Sequence, residues 1–167
     1  MNIAGIDYND TAAAPGISLT VYVSGCEHHC KGCHNPESWD FNYGEEITEQ
    51  NRIDFHNEII DSLIANGIKR NFCIMGGEPL HPRNRYETYL MINYVKNYDP
   101  NIEVWIWTGY TYEELLYAVE VNGDRALELI LHEADVLVDG PFILEQRDIT
   151  LKARGSRNQR IIYLQPQ

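Results

Sequence analysis

The sequence is short of basic residues, of long apolar runs, and of cysteine outside one segment. Lysine and arginine number 13 against 25 aspartates and glutamates in 167 residues, a formal net charge of −12. Such a surface repels phosphate backbones, so we expect no nucleic-acid partner. No apolar run approaches the roughly 18–20 residues that span a bilayer, so no membrane association is expected. The N-terminus lacks the basic start and apolar core of a signal peptide, which predicts a cytoplasmic protein.

The cysteines are concentrated in one place. Three of the four fall within eight residues, in the motif Cys26-x3-Cys30-x2-Cys33. Clustered thiols in a cytoplasmic chain indicate metal binding or catalysis rather than disulfides. Cys73 stands alone in the apolar run NFCIM and is predicted to be a small buried side chain.

Two kinds of metal centre fit this spacing. A [4Fe–4S] cluster usually takes four cysteine thiolates, so three would leave one iron with an open coordination position. A structural zinc ion also takes four ligands, and His28, His29 or His34 could complete a Cys3His site. Spacing alone favours the cluster and leaves zinc open.

Short apolar runs alternate with helical periodicity along the chain, which is long enough for a single domain, residues 1–167. Strands are predicted at 17–23, 71–75, 102–108, 135–140 and 160–164. Helices are predicted at 48–65, 83–97, after a Thr111–Glu114 capping box, and at 126–132. This alternation indicates an α/β protein with a mostly parallel sheet. A chain with room for about five strands can form only a partial barrel, open on one side.

Four unusual loops follow the first four predicted strands. They are the cysteine loop, GGEP at 76–79, TGY at 108–110 and DGPF at 139–142. Sites in parallel α/β proteins form at the carboxyl ends of strands, so we expect the four loops to lie together. The backbone of Gly76 and Gly77 can approach a ligand closely, and Glu78 adds a carboxylate.

The pairing of CxxxCxxC after one strand with GGEP after the next resembles the radical S-adenosylmethionine superfamily. The resemblance implies a partial, open (βα) barrel with about five mostly parallel strands. It also implies a [4Fe–4S] cluster held by Cys26, Cys30 and Cys33, whose open iron is chelated by the amino and carboxylate groups of S-adenosylmethionine. The residues implied to lie against the cluster or S-adenosylmethionine are Gly32, Cys33, His34, Gly76, Gly77 and Glu78.

Further segments resemble one branch, the activating proteins of anaerobic (class III) ribonucleoside-triphosphate reductases. These are PGISLTVYVSGCEHHCKGCHNPESWDF from Pro15, GGEPL, WTGY, DVLVDGPF, QRD and RGSRNQR, which together run nearly end to end. Met75 is a mild departure, because a small hydroxyl residue would be less surprising before the glycines.

This branch implies an oxidoreductase that cleaves S-adenosylmethionine reductively and generates a glycyl radical near the C-terminus of the reductase large chain. A flavodoxin-like protein is implied as the electron donor, and no side-chain acid or base is needed. Two alternatives stay open at this point. One is another radical S-adenosylmethionine enzyme acting on a small molecule, and the other is a zinc-binding interaction protein without chemistry.

The last third of the chain holds a cluster of positive charge. Five basic residues fall in fourteen positions, namely Arg147, Lys152, Arg154, Arg157 and Arg160. They predict either a loop that is solvated or braced by internal hydrogen bonds, or a cationic patch for a carboxylate, a phosphate or an acidic partner. Trp39 is a further candidate for docking or cofactor contact.

Overall fold

The computed structural model describes residues 1–165, which form one mixed sheet of seven strands with four α-helices. The strands are β1 (Asn2–Asp10), β2 (Ser18–Val23), β3 (Glu45–Glu46), β4 (Asn71–Gly76), β5 (Val104–Trp107), β6 (Val136–Asp139) and β7 (Arg160–Tyr163). The helices are α1 (Arg52–Ile64), α2 (Arg85–Tyr98), α3 (Tyr112–Asn122) and α4 (Arg125–Glu133).

The strand order is β3-β1-β2-β4-β5-β6-β7. The central strands β2, β4, β5 and β6 are parallel, whereas β1, β3 and β7 pair antiparallel to their neighbours. An α/β architecture is therefore confirmed. The predicted count of about five strands is wrong, because the sheet has seven. The sheet begins at edge strand β3 and ends at edge strand β7, and the predicted radical S-adenosylmethionine barrel is not confirmed.

The missed strand β1 has a physical explanation. Its sequence NIAGIDYND is rich in Asn, Asp and Gly, which are depleted in strands, and Asp7, Tyr8 and Asn9 are exposed. β1 forms because it pairs with β2 along most of its length, from Ile3 opposite Val23 to Asp10 opposite Ser18. Tertiary pairing thus outweighs a weak local preference.

The two faces of the sheet are covered differently. Because side chains alternate along a strand, Leu19, Phe72 and Ile106 face a core cluster that includes residues of all four helices. The second cluster contains Cys73 and Trp105 and holds no helix residue within the described chain. Cys73 is fully buried, as predicted. This second face is covered by the residues preceding β2 and by the segment that follows β6, and it is where a cavity can open.

Helix boundaries follow their capping residues. The capping box of Thr111 and Glu114 at the start of α3 is confirmed in both directions. Helix α1 begins at Arg52, and the predicted N-cap Thr48 makes the bonds expected of a cap, because its Oγ1 accepts from the N–H of Asn51 at 3.3 Å and its carbonyl accepts from that of Arg52 at 3.1 Å. None of the helices in residues 1–165 has the length and apolarity needed to cross a bilayer.

A buried charged cluster joins α1 to α2. Both oxygens of Glu87 accept from Nε of Arg52, at 3.1 and 2.9 Å. Nε2 of His56 lies 3.4 Å from Oε1 of Glu87. Burial acts to raise the pKa of Glu87, but the His56 and Arg52 side chains outweigh it and hold that pKa below its ordinary value of 4.5. Glu87 therefore stabilises the helix pair in its ionised form.

Candidate cofactor-binding site

The carboxyl ends of the parallel strands open onto one cavity of about 840 Å³ on the helix-free side of the sheet. Residues from the cysteine, GGEP, TGY and DGPF loops all line it, so the prediction that these loops lie together is confirmed. The site residues predicted from sequence all line this cavity, namely Cys26, Cys30, Gly32, Cys33, His34, Gly76, Gly77 and Glu78.

The cysteine loop is shaped by tight turns. Gly25 has φ 96°, and a Cβ there would lie 2.0 Å from the ring of Phe41. The N–H of Gly25 donates to the carbonyl of Ser38 at 2.7 Å, and the N–H of Cys26 donates to that of Trp39 at 3.1 Å. These bonds close the loop on the short helical turn that follows it. Only glycine fits at position 25, because the backbone there is left-handed and a neighbouring ring occupies the Cβ position.

The three thiols differ in exposure. Cys26 is buried, whereas Cys30 and Cys33 are half-buried, and all are free. Burial raises the pKa of Cys26 to about 11, while the backbone N–H groups of His28 and His29 act to lower it. Burial also raises the pKa of Cys30. The thiols of Cys26 and Cys30 are therefore protonated at neutral pH, and a metal centre bound there would displace those protons.

The two glycines of GGEP make close backbone contact with the end of β2. A Cβ on Gly76 would lie 2.7 Å from the backbone N and O of Val23. A Cβ on Gly77 would lie 2.8 Å from the carbonyl oxygen of Gly25. The N–H of Gly77 donates to Val23 and that of Glu78 donates to Gly25, at 2.7 and 2.8 Å. The glycines thus hold the GGEP loop against the root of the cysteine loop. Their predicted contact with S-adenosylmethionine stays a prediction.

Glu78 connects three loops through one buried carboxylate, which is 1% exposed. Its Oε1 accepts from the N–H of Leu80 at 2.9 Å and from the hydroxyl of Thr108 at 2.8 Å. Its Oε2 accepts from the N–H of Gly109 at 2.7 Å and contacts Nε2 of His28 at 2.9 Å. The hydrogen bond to Glu78 is the main cause that raises the pKa of His28, against burial. Glu78 therefore holds the loops in position. The sequence had predicted only a contact between Glu78 and S-adenosylmethionine, and not this structural role.

Asn84 is a positioning residue that sequence reasoning missed. Its Nδ2 donates to the carbonyl oxygens of Ser24 and Glu78, both at 2.9 Å, and the side chain is buried. An asparagine directly before α2 suggests an N-cap, yet its side chain makes no capping bond. The sequence gives no signal for this second role, because one acceptor, Ser24, is distant in the chain and is brought to Asn84 only by the fold.

The apolar wall of the cavity was also missed. Tyr22, Met75 and Trp107 line it from β2, β4 and β5. Burial and the nearby Asp10 raise the pKa of Tyr22 to about 12. The sequence did offer a signal for this wall. Side chains alternate between the two faces of a strand, and these three residues lie on the face opposite the side chains that pack on the helices.

The remaining wall is the C-terminal segment, residues 140–159. It contacts the cysteine loop, where a Cβ on Gly32 would lie 3.0 Å from the side chain of Leu144. Nδ2 of Asn158 donates to the carbonyl of Pro141 at 2.8 Å, and Nε2 of Gln159 donates to that of Gly140 at 3.1 Å. The segment is therefore braced internally, in line with one of the two interpretations of its polar residues.

The basic residues of this region fall into separate groups. Arg160 is paired with the buried Asp139 and with Glu113, and Arg157 lies 3.7 Å from Asp148. Lys152 is exposed and does not line the cavity, whereas Arg147 and Arg154 do line it. The predicted five-residue patch is therefore not a single surface.

Three thiols face one cavity, a donor set that fits an iron–sulfur cluster. Of the three histidines that could complete a zinc site, only His34 lines the cavity without another contact described for its ring. His28 is already bonded to Glu78, and the ring of His29 packs on Trp39 at 4.7 Å. Among residues 1–165, no three His, Cys, Asp or Glu side chains are grouped around the position of a single metal ion.

Comparison with known proteins agrees with this chemistry. The family model described as "4Fe-4S single cluster domain" matches residues 12–162. The anaerobic ribonucleoside-triphosphate reductase-activating protein of Vibrio cholerae serotype O1 is 39% identical over 90% of both chains. The chain belongs to this family of activating proteins. Activating proteins of the same name from Haemophilus influenzae and Escherichia coli K12 are 39% and 34% identical, and the alignments cover at least 90% of each chain.

Membership of the activating-protein family confirms the resemblance drawn from the motifs. Enterobacteria phage T4 also has a member, 30% identical over 96% of this chain and 93% of its own. The matching domain model supports a 4Fe–4S cluster and not the zinc alternative. The ligation of the cluster by Cys26, Cys30 and Cys33 and the binding of S-adenosylmethionine stay predictions.

Proposed function

We propose that this chain activates an anaerobic ribonucleoside-triphosphate reductase by generating a glycyl radical on it. The observation that carries the proposal is the single cavity onto which the three-cysteine loop and the GGEP loop both open, in a chain of the activating-protein family. Its volume of about 840 Å³ is in the range of small-molecule and cofactor sites.

Cys26, Cys30 and Cys33 would hold a [4Fe–4S] cluster, which supplies single electrons. With one electron from a flavodoxin-like donor, S-adenosylmethionine would be cleaved at its sulfonium to methionine and a 5′-deoxyadenosyl radical. That radical would take a hydrogen atom from the Cα of a glycine near the C-terminus of the reductase large chain, giving 5′-deoxyadenosine and a glycyl radical. The cofactor supplies the difficult chemistry, and the protein supplies position and shielding.

The residues of this chain would bind, orient and exclude water. Glu78 and Asn84 keep the cysteine loop fixed relative to the GGEP loop through buried hydrogen bonds. Gly32 and His34 lie on the exposed part of the loop, beside the proposed cluster. The apolar side chains of Met75 and Trp107 line the inner wall, where they would shield a radical from solvent.

The rim of the cavity suits a protein substrate. Ile149 lines the cavity and yet is 85% exposed, beside the exposed Arg147. Single exposed apolar side chains are common, but one at the mouth of a site can contact a loop that enters it. We infer that the glycine-bearing loop of the reductase enters past this rim.

The test uses protein purified without oxygen, reconstituted with iron and sulfide, and reduced with dithionite. We expect a reduced-cluster EPR signal that changes when S-adenosylmethionine is added, and formation of 5′-deoxyadenosine. Adding the reductase should then produce a glycyl-radical EPR signal. Cys33→Ala should lose the cluster signal, whereas Cys73→Ala should keep it, because Cys73 is buried in the sheet away from the cavity.

Three outcomes would contradict the proposal. Zinc in place of iron would leave an α/β metal-binding protein without radical chemistry. A cluster indifferent to S-adenosylmethionine would exclude the superfamily mechanism. Cleavage of S-adenosylmethionine without a radical on the reductase would indicate a different radical enzyme.

A further inference from the structure

Two arginines on the cavity wall lack acidic partners. Arg147 and Arg154 line the cavity, and neither forms an ion pair within residues 1–165, whereas Arg157 and Arg160 do. Positive charge has been left available at this wall.

Arg154 also has an unsatisfied donor. Its Nη1 donates to the carbonyl of Gln159 at 3.2 Å, but its Nε is buried and has no hydrogen-bond partner in the described part of the chain. Buried polar groups are normally paired, and an unpaired one is costly. A guanidinium in this state gains more from an incoming acceptor than one that is already satisfied.

The backbone beside Arg154 is held in place. Ala153 has φ 57°, a left-handed conformation that is disfavoured for residues other than glycine. The indole N–H of Trp107 donates to the carbonyl of Ala153 at 2.7 Å, which ties this part of the segment to the end of β5. Strained positions that are fixed by their surroundings are common at ligand sites.

The other charged groups on the cavity wall do not compete for the two arginines. The carboxylate of Glu78 is occupied by its four hydrogen-bond donors. Asp148 accepts from the N–H and hydroxyl of Thr150, at 3.0 and 2.7 Å, and faces Arg157. Glu78 and Asp148 are thus engaged by other groups, and neither forms an ion pair with Arg147 or Arg154 within residues 1–165.

We propose that Arg154, assisted by Arg147, forms a subsite for a carboxylate group in this cavity. Arginine suits this ligand because its fork of N–H groups matches the two oxygens of a carboxylate. The inference rests on the proposed function, whose two substrates offer two sources for the carboxylate. The first source is the carboxylate of S-adenosylmethionine, and the second is an acidic side chain that the reductase segment would carry into the cavity.

The first arm measures ligand binding to cluster-loaded protein by anaerobic equilibrium dialysis. The ligands are S-adenosylmethionine and decarboxylated S-adenosylmethionine, which lacks the carboxylate. If the subsite takes the carboxylate of S-adenosylmethionine, Arg154→Gln should weaken its binding by about tenfold to a hundredfold. Binding of the decarboxylated compound should stay the same or become tighter, because the arginine repels its additional net positive charge.

The second arm measures binding of the reductase to the same proteins by sedimentation, at low and at high salt. If the carboxylate belongs to the reductase, Arg154→Gln should leave S-adenosylmethionine binding unchanged and weaken reductase binding by about tenfold or more at low salt. The difference should shrink as salt screens the interaction. Arg147→Gln should act in the same direction with a smaller effect, because its side chain is more exposed.

Lys152→Gln is the matched control, because it removes an equal charge from the same segment at an exposed position outside the cavity. Iron content and melting temperature establish that each variant is folded and loaded. The subsite is wrong if Arg154→Gln binds both S-adenosylmethionine and the reductase like Lys152→Gln. It is also wrong if Arg154→Gln weakens both adenosyl ligands equally, since the carboxylate would then play no part.

These results are distinguishable from a failure of the proposed function. If wild-type protein binds S-adenosylmethionine but does not cleave it, the function fails while the binding comparison still decides the subsite. If wild-type protein binds neither S-adenosylmethionine nor the reductase, both proposals are overturned.

Discussion

Replacing Glu78 with glutamine should destabilise the protein although the two side chains have the same shape. Either orientation of the new amide places its NH₂ group where a carboxylate oxygen now accepts. In one orientation it faces the backbone N–H of Gly109, and in the other that of Leu80. A buried N–H without an acceptor costs about 1–3 kcal/mol, and the remaining bonds lose the strength that the charge gives them. The expected total loss is about 2–4 kcal/mol.

Thermal unfolding followed by circular dichroism measures this loss. A domain of this size changes its melting temperature by about 2–4 °C per kcal/mol, so Glu78→Gln should melt about 4–16 °C lower than wild type. Glu120→Gln is the matched control, because it removes the same charge from an exposed site on α3. The control should stay within about 0.5 kcal/mol of wild type.

The same variant tests the link between Glu78 and the cysteine loop. Because Glu78 bonds His28 inside that loop, its replacement should loosen the loop and lower iron retention after gel filtration. The reasoning is refuted if Glu78→Gln melts within about 2 °C of Glu120→Gln and retains as much iron. Glu78 would then be neither a structural centre nor a support for the metal site.

Three further predictions follow from particular contacts. Gly77→Ala should cost about 1–3 kcal/mol and lower iron loading, because the new Cβ would meet backbone atoms at 2.8–2.9 Å, whereas Gly5→Ala, with nothing within 4 Å, should load normally. Equal loading of the two variants contradicts this. The ionised form of Glu87 stabilises the fold above its ordinary pKa of 4.5, so the stability difference between wild type and Glu87→Gln should shrink as pH falls below that value. A stability difference that stays constant with pH would show that ionisation of Glu87 does not stabilise the fold. Cys33→Ala should bind less iron than Cys73→Ala by colorimetric assay, and equal iron in both would exclude Cys33 as a ligand.

Much of the site was predictable because its signals are local. Three thiols within eight residues, and two glycines before a glutamate, identify themselves by residue type and spacing. The parallel strands then place both loops at one end of the sheet, as expected. Asn84 carried no such signal, because its role depends on acceptors outside its own helix. Arg154 was predicted only as one of five clustered basic residues, and the sequence did not separate it from Arg157 and Arg160, which form ion pairs.

The fold shows the same division between local and distant interactions. The capping box of α3 and the buried strands β4, β5 and β6 were read from short patterns that specify local structure directly. Strands β1 and β3 were missed, because β1 is polar and half-exposed and β3 has only two residues. Both exist through pairing with distant partners, which short patterns do not encode.

The sequence by itself determined which groups could bind a metal centre and which strands would carry them. Only the tertiary structure decided that Glu78 holds three loops together, that Arg160 is neutralised by Asp139, and that Nε of Arg154 on the cavity wall has no hydrogen-bond partner among residues 1–165. The physical reason is that residue type and spacing fix what a side chain can do. Whether its charge is satisfied depends on groups that the fold brings from elsewhere in the chain.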